Sequence, residues 1–200
     1  MKVSMYHRFA VWLVPRAEDQ QWLSAIISAL ANQYDAPIFE PHVTVYGGVY
    51  TPTDSLATLL PQVAPIAPPL TLTIQTIDQT ADLFKTLFLV LAPHPALTLC
   101  SQRIQHQLQH PDNYLLQPHV SLIYKPLSAR QKQTIIADLT LPSSSITFDT
   151  LKVVAPRSGS WRDFDTWHVL DSQPLGHGDR DRASAINRQS QTASPKLHFD

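Results

Sequence analysis

A single cysteine in 200 residues, Cys100, rules out an internal disulfide and cannot by itself build a structural zinc site. Charge is scarce as well: 16% of the residues are Asp, Glu, Lys or Arg, and the formal net charge is −1. The chain therefore lacks the basic field that grips a long phosphate backbone, whereas a small phosphorylated ligand needs only a few local donors. Glycine occurs only five times, and no phosphate loop, dinucleotide fingerprint or serine-hydrolase elbow is present. Gly47-Gly48 is a turn signal, expected to end a strand. Long apolar runs are missing too. Phe9–Val14 stops at Pro15, too short for a signal-peptide core with its cleavage site and far too short for a bilayer span. A cytoplasmic, monomeric protein with no membrane segment is expected.

What the chain does have is a repeated phrase. Pro41-His42-Val43-Thr44-Val45 and Pro118-His119-Val120-Ser121-Leu122 stand 77 residues apart and are written in strand-forming residues. In a strand, residues i and i+2 share a face. His42 and Thr44 should point one way, as should His119 and Ser121, with the valines and Leu122 opposite. Two imidazoles and two hydroxyls around one cleft suit acid–base chemistry on a phosphate. A lone histidine in a strand is usually structural; duplication is what lifts the pair.

The surrounding chain alternates between helical and strand patterns. Trp22, Leu23, Ile26, Ile27 and Leu30 mark an amphipathic helix over Glu18–Asn32, with Glu18 and Asp19 in its first turn. A short helix is expected over Thr53–Leu60, ended by Pro61, then a Pro65–Pro69 connector. Thr71–Ile77 and Leu83–Leu91 read as neighbouring antiparallel strands. A helix over Pro95–His110 carries Leu97, Cys100, Ile104 and Leu108 on one stripe, with Cys100 a buried helix residue rather than a nucleophile. Ser128 caps a helix to Leu139, and Ile146–Val154 and Thr166–Leu170 are the last strands. Each half thus offers strand, helix, histidine strand, helix and closing strand. This order predicts an α+β fold, bilobal and pseudo-duplicated, with antiparallel sheets, outer helices and an active cleft between lobes. A single mixed sheet is the plainer alternative. One domain over 1–171 is expected, followed by a polar, disordered tail over 172–200, which makes His177, Arg180, Arg188 and His198 poor catalytic candidates.

Together with Ala10-Val11-Trp12-Leu13-Val14-Pro15 and Leu83-Phe84-Lys85-Thr86-Leu87-Phe88, the two pentapeptides resemble the two-histidine phosphoesterase superfamily, in particular its cyclic phosphodiesterase branch. The resemblance covers about residues 8–170. It implies a catalytic pair, His42 and His119, with Thr44 and Ser121 as phosphate binders. It also implies metal-independent opening of a 2′,3′-cyclic nucleotide or an ADP-ribose 1″,2″-cyclic phosphate, with no cofactor. The residues alone leave open which histidine is the base; related enzymes favour His119 as base and His42 as acid.

Substrate contacts are less sharply drawn. Tyr46 and Tyr124, after the two signatures, are candidates to stack on a base, with core packing as the competing role. Trp12 shares a face with Ala10 and Val14 and is expected beside the histidines. Lys85 is a candidate to neutralise phosphate, and Arg157 and Trp161 bracket a turn placed to close over a nucleotide. His94, His106 and His110 cluster near a helix without a companion carboxylate or cysteine, so they are expected in solvent and no metal is expected. Two other functions remain open: an RNA-end cyclic phosphodiesterase or ligase-like enzyme, and a nucleotide-binding module without turnover.

Overall fold

The computed structural model describes residues 7–51, 53–64 and 68–176. Seven strands and four α-helices alternate along it. They are β1 (His7–Pro15), α1 (Ala17–Tyr34), β2 (Val43–Tyr50), α2 (Leu56–Val63), β3 (Leu70–Gln79), β4 (Leu87–Leu91), α3 (Pro95–Gln107), β5 (His119–Ile123), α4 (Ala129–Asp138), β6 (Ser145–Pro156) and β7 (Trp167–Pro174). The α+β class and the antiparallel pairing are as expected. All pairings are antiparallel, and one hydrogen-bonded path runs β2-β1-β6-β3-β4-β5, with β7 beside β6.

Two long strands divide that path. Leu70–Thr73 of β3 pairs with β6, whereas Ile74–Gln79 of the same strand pairs with β4. On the other side, β6 meets β1 along most of its length. The histidine strands β2 and β5 therefore lie at the two ends of the path, and the fold brings those ends into contact. The helices cross over: α1 packs on β5 and α3 packs on β2.

Burial follows from this layout. β1 is paired on both edges and covered on both faces, which is why it reads as an uninterrupted apolar run rather than an alternating one. Phe9, Val11 and Leu13 enter the main core with Val43, Val45, Val120 and Leu122. Ala10, Trp12 and Val14 face the other way and pack with Val154, Trp161 and Trp167. The opposite-face assignment of the signature valines and Leu122 is thus realised.

Several boundaries differ from the sequence reading. β2 does not stop at Gly47 but continues to Tyr50, because Ala10, Phe9 and Arg8 pair with Gly47, Gly48 and Val49. Here glycine provides space rather than a turn: a Cβ on Gly48 would lie 2.9 Å from the Tyr46 ring. Leu83–Lys85 is a single 3₁₀ turn, not strand, since the Asp82 carboxylate caps it by accepting from the Phe84 N–H at 2.8 Å. α2 starts later than expected and contains Pro61 in its last turns. His94 is the N-cap of α3, its Nδ1 accepting from the Ala96 N–H at 3.2 Å. Ser128 caps α4 in a full capping box with Gln131, as its position implied. Cys100 is buried, and burial pushes its thiol up. Beyond Asp171, β7 runs on to Pro174 and Leu175 enters the main core, so ordered structure passes the expected boundary. His177, Arg180, Arg188 and His198 lie outside the described residues. No helix among the described residues is long and apolar enough to cross a membrane.

Candidate active site

The Gln/Glu-Pro-His phrase has a direct structural consequence. Proline confines the residue before it to extended backbone and brings no N–H of its own. In both signatures the carbonyl two residues upstream is thereby turned toward the imidazole. His42 Nδ1 donates to the Glu40 carbonyl at 2.7 Å, and His119 Nδ1 donates to the Gln117 carbonyl at 2.6 Å. A carbonyl can only accept, so each bond fixes the proton on Nδ1 and leaves Nε2 for other work.

Both rings line a single cleft of about 340 Å³, together with Thr44, Ser121, Trp12 and Tyr124. The quartet drawn from two distant segments is therefore brought together. His42 is buried and stacks face to face on Trp12, with centroids 3.7 Å apart and planes 10° from parallel. His119 is half-buried and meets Phe88 edge-on at 5.4 Å. Burial pushes His42 down to about 3, and the charges of His119 and Lys152 act in the same direction. His119 is also lowered, first by burial and then by the Lys85 ammonium, while Asp82 opposes the shift.

The hydroxyls are not equivalent. Ser121 Oγ donates to the Phe84 carbonyl at 2.6 Å. Thr44 Oγ1 has no hydrogen-bond partner among the described residues, although the Thr44 carbonyl accepts from the Tyr114 hydroxyl at 3.0 Å. A layer of charge supports the His42 loop from behind: Lys152 Nζ meets Glu40 Oε1 at 2.6 Å, and Gln20 Nε2 donates to the same oxygen at 3.1 Å.

The six expected substrate contacts divide. Trp12, Tyr124 and Trp161 line the cleft. Tyr124 is held by Phe39, stacked at 3.7 Å, and burial raises its phenol. Tyr46 does not face the cleft. It is fully buried, packs on Phe9, and its hydroxyl accepts from the Asp112 N–H at 2.8 Å, so the register shift at Val11/Trp12 has turned it into the core. Lys85 lies outside the cleft wall but near His119, donating from Nζ to Gln117 Oε1 at 2.5 Å. Arg157 is exposed on the turn after β6 and does not line the cleft; its backbone N–H closes that turn onto the Thr166 carbonyl.

Other cleft residues went unread in the sequence. Phe84 is turned inward by the 3₁₀ turn, and the Asp82 cap was the available signal. Trp167 reaches the cleft from β7, and Tyr114, Asp112 and Arg8 line its far end. Nothing local in the sequence marks the loop carrying Asp112 and Tyr114. Among the described residues no group of three or more His, Cys, Asp or Glu side chains is arranged to hold a metal ion.

Comparison with known proteins bears on the fold. No family model matches the chain. It is 23% identical over 125 residues to a cyclic phosphodiesterase of Arabidopsis thaliana, a match spanning 62% of this chain and 69% of that protein. Among solved structures, one described as a phosphoesterase aligns at a TM-score of 0.57 with 15% identity, over 86% of this chain and 99% of its own. TT0787 of Thermus thermophilus aligns at 0.56 with 13% identity, over 86% and 100%. E. coli LigT complexed with 3′-AMP aligns at 0.53 with 18% identity, over 87% and 100%. These structures share the fold. Through its paired signature and its likeness to a curated cyclic phosphodiesterase, the chain resembles the two-histidine phosphoesterase superfamily.

Proposed function

We propose that the chain is a cyclic phosphodiesterase that opens a nucleotide-sized cyclic phosphate to a phosphomonoester without a metal. The observation that carries this reading is the pair of imidazoles in one cleft, each with Nδ1 tied to the carbonyl two residues before it. Histidine can both take and give a proton near neutral pH, and opening the ring requires one of each. Water attacks phosphorus in line with the departing ribose oxygen. One Nε2 takes a proton from that water as its oxygen bonds to phosphorus. The bond from phosphorus to the ribose oxygen breaks, and the other Nε2–H protonates the oxygen it releases. Exchange with solvent then resets both rings.

The assignment of roles runs opposite to the one the resemblance favoured. A ring pushed down to about 3 is neutral across the physiological range, so His42 serves as the base. His119 is shifted down too, but it opens more to solvent and has Asp82 working to keep its charge, so it serves as the acid. When His42 takes its proton, the Trp12 face lies against the new cation. Thr44 lines the same cleft, and in this reading its Oγ1 donates to a nonbridging phosphate oxygen. A 2′,3′-cyclic mononucleotide and an ADP-ribose 1″,2″-cyclic phosphate both fit this chemistry. That LigT has been crystallised with 3′-AMP and with ATP supports a nucleotide-sized ligand here.

The test is turnover of a 2′,3′-cyclic mononucleotide, an ADP-ribose cyclic phosphate and a cyclic-ended oligoribonucleotide, with and without chelator. Hydrolysis of the first two that survives chelator and collapses in His42→Ala and in His119→Ala is the expected result. Preference for the oligonucleotide would move the chain to RNA ends. Binding without turnover would make it a silent module.

A further inference from the structure

The cleft continues well past the reacting groups, and the chemistry above leaves its far end unused. Alternation along β1 sends Arg8, Ala10 and Trp12 to the cleft face, so Arg8 stands four residues beyond the Trp12–His42 stack, roughly 13 Å along the strand. A ribose followed by a base covers a stretch of that order. Opposite, Arg8 pairs with Val49 and Phe9 with Gly48. Over Gly48 hangs the Asp112 carboxylate: a Cβ at Gly48 would sit 3.1 Å from Asp112 Oδ2.

Asp112 is held in place. Its N–H donates to the buried Tyr46 hydroxyl at 2.8 Å. Two residues on, the Tyr114 hydroxyl donates to the Thr44 carbonyl at 3.0 Å, and the Tyr114 carbonyl accepts from Gln105 Nε2 at 3.1 Å. The loop is thus latched to the strand that carries Thr44 and to α3. Neither the Asp112 carboxylate nor the Arg8 guanidinium has a hydrogen-bond or ion-pair partner among the described residues. One acceptor pair and one donor fork therefore face the end of the cleft where the base of a nucleotide would lie.

We propose that Arg8 and Asp112 form a base-reading subsite that selects guanine, an inference that rests on the reading of the chain as a nucleotide cyclic phosphodiesterase. Guanine alone among the common bases presents two adjacent N–H donors, N1 and N2, on its Watson–Crick edge. A carboxylate accepts both in parallel. The neighbouring O6 and N7 are acceptors, which suit a guanidinium. Adenine offers one donor beside a lone pair, and that lone pair faces a carboxylate oxygen. Cytosine has the same defect, and uracil has a single N–H between two carbonyls.

Two measurements on the full chain test this. The first compares kcat/KM for the 2′,3′-cyclic phosphates of guanosine, adenosine, cytidine and uridine. The second measures binding of guanosine and adenosine 3′-monophosphates by calorimetry, which needs no turnover. Guanine should lead adenine by about tenfold or more in both. Asp112→Asn keeps the backbone N–H that latches the loop and should bring the guanine-to-adenine ratio close to one; Arg8→Gln should reduce it less. Equal use of all bases, or a guanine preference that survives Asp112→Asn, overturns the subsite. Guanine-selective binding without hydrolysis would uphold the subsite and overturn the catalytic reading instead.

Discussion

The two histidine strands follow the same sequence grammar yet end in unlike surroundings. β2 delivers His42 into a nearly closed place under Trp12, with Lys152 behind it. β5 delivers His119 to a half-open one, with Lys85 and Asp82 acting in opposite senses. The hydroxyls differ in the reverse direction: Ser121 on β5 is committed to a backbone carbonyl, whereas Thr44 on β2 is not. The repeated signature therefore gives the two imidazoles the same local setting, and the neighbours brought by the rest of the chain make their surroundings differ.

The sharpest way to break that comparison is to delete each ring. His42→Ala and His119→Ala should each lower turnover by at least ~100-fold, as acid–base contributions of this kind do, measured on a 2′,3′-cyclic nucleotide. Near-normal rates in both would end the catalytic proposal. The hydroxyl comparison comes next. Thr44→Val should cost up to ~3 kcal/mol of transition-state stabilisation, by analogy with loss of an oxyanion-hole donor, and Ser121→Ala clearly less. Equal losses would mean that Ser121 releases the Phe84 carbonyl when phosphate arrives.

Acidity separates the strands further. A histidine lowered on folding is stabilising as a neutral group above its unfolded value, 6.5, and that stability is lost as pH falls toward the folded value. The protein should therefore lose stability between pH 6.5 and about 3. His42→Phe, which keeps a ring on Trp12, should flatten that slope in thermal melts taken across this range. For catalysis, the acid limb of kcat/KM belongs to His42 and the basic limb to His119, below 6.5. Lys152→Met removes a positive charge that holds His42 down, so the acid limb should move to higher pH. A shift of the basic limb instead would exchange the two roles. The smallest effect is expected from Tyr46→Phe, which removes the hydroxyl that accepts from Asp112 and should raise KM more than it lowers kcat.

How much of this could be read from the chain depended on how local the cause was. The histidine strands, the first helix, the Ser128 cap and the α+β class were legible because periodicity, capping and the proline before each histidine act over a few residues. The Tyr46 ring was not, because the register shift between β1 and β2 involves a strand about 35 residues away. Gly47-Gly48 looked like a strand end for a related reason. Only the overlying Tyr46 ring and Asp112 reveal that Gly48 needs to be small. Phe84 and Trp167 enter the cleft through a 3₁₀ turn and a late strand whose places are set by tertiary pairing. A lone Leu175 carries no period, so the sequence assigns it to the polar tail, yet it is buried in the main core.

The crossing of the helices has a consequence for how such a site comes into being. With α1 seated on β5 and α3 on β2, each histidine strand pairs with a strand of its own half but takes its covering helix from the other. Severing the chain between them should leave two fragments without a catalytic remnant, and in the intact protein hydrolysis should disappear on denaturant titration at the same midpoint as tryptophan fluorescence. The two imidazoles share a cleft only where the ends of the strand path meet, so competence should arrive with the whole fold.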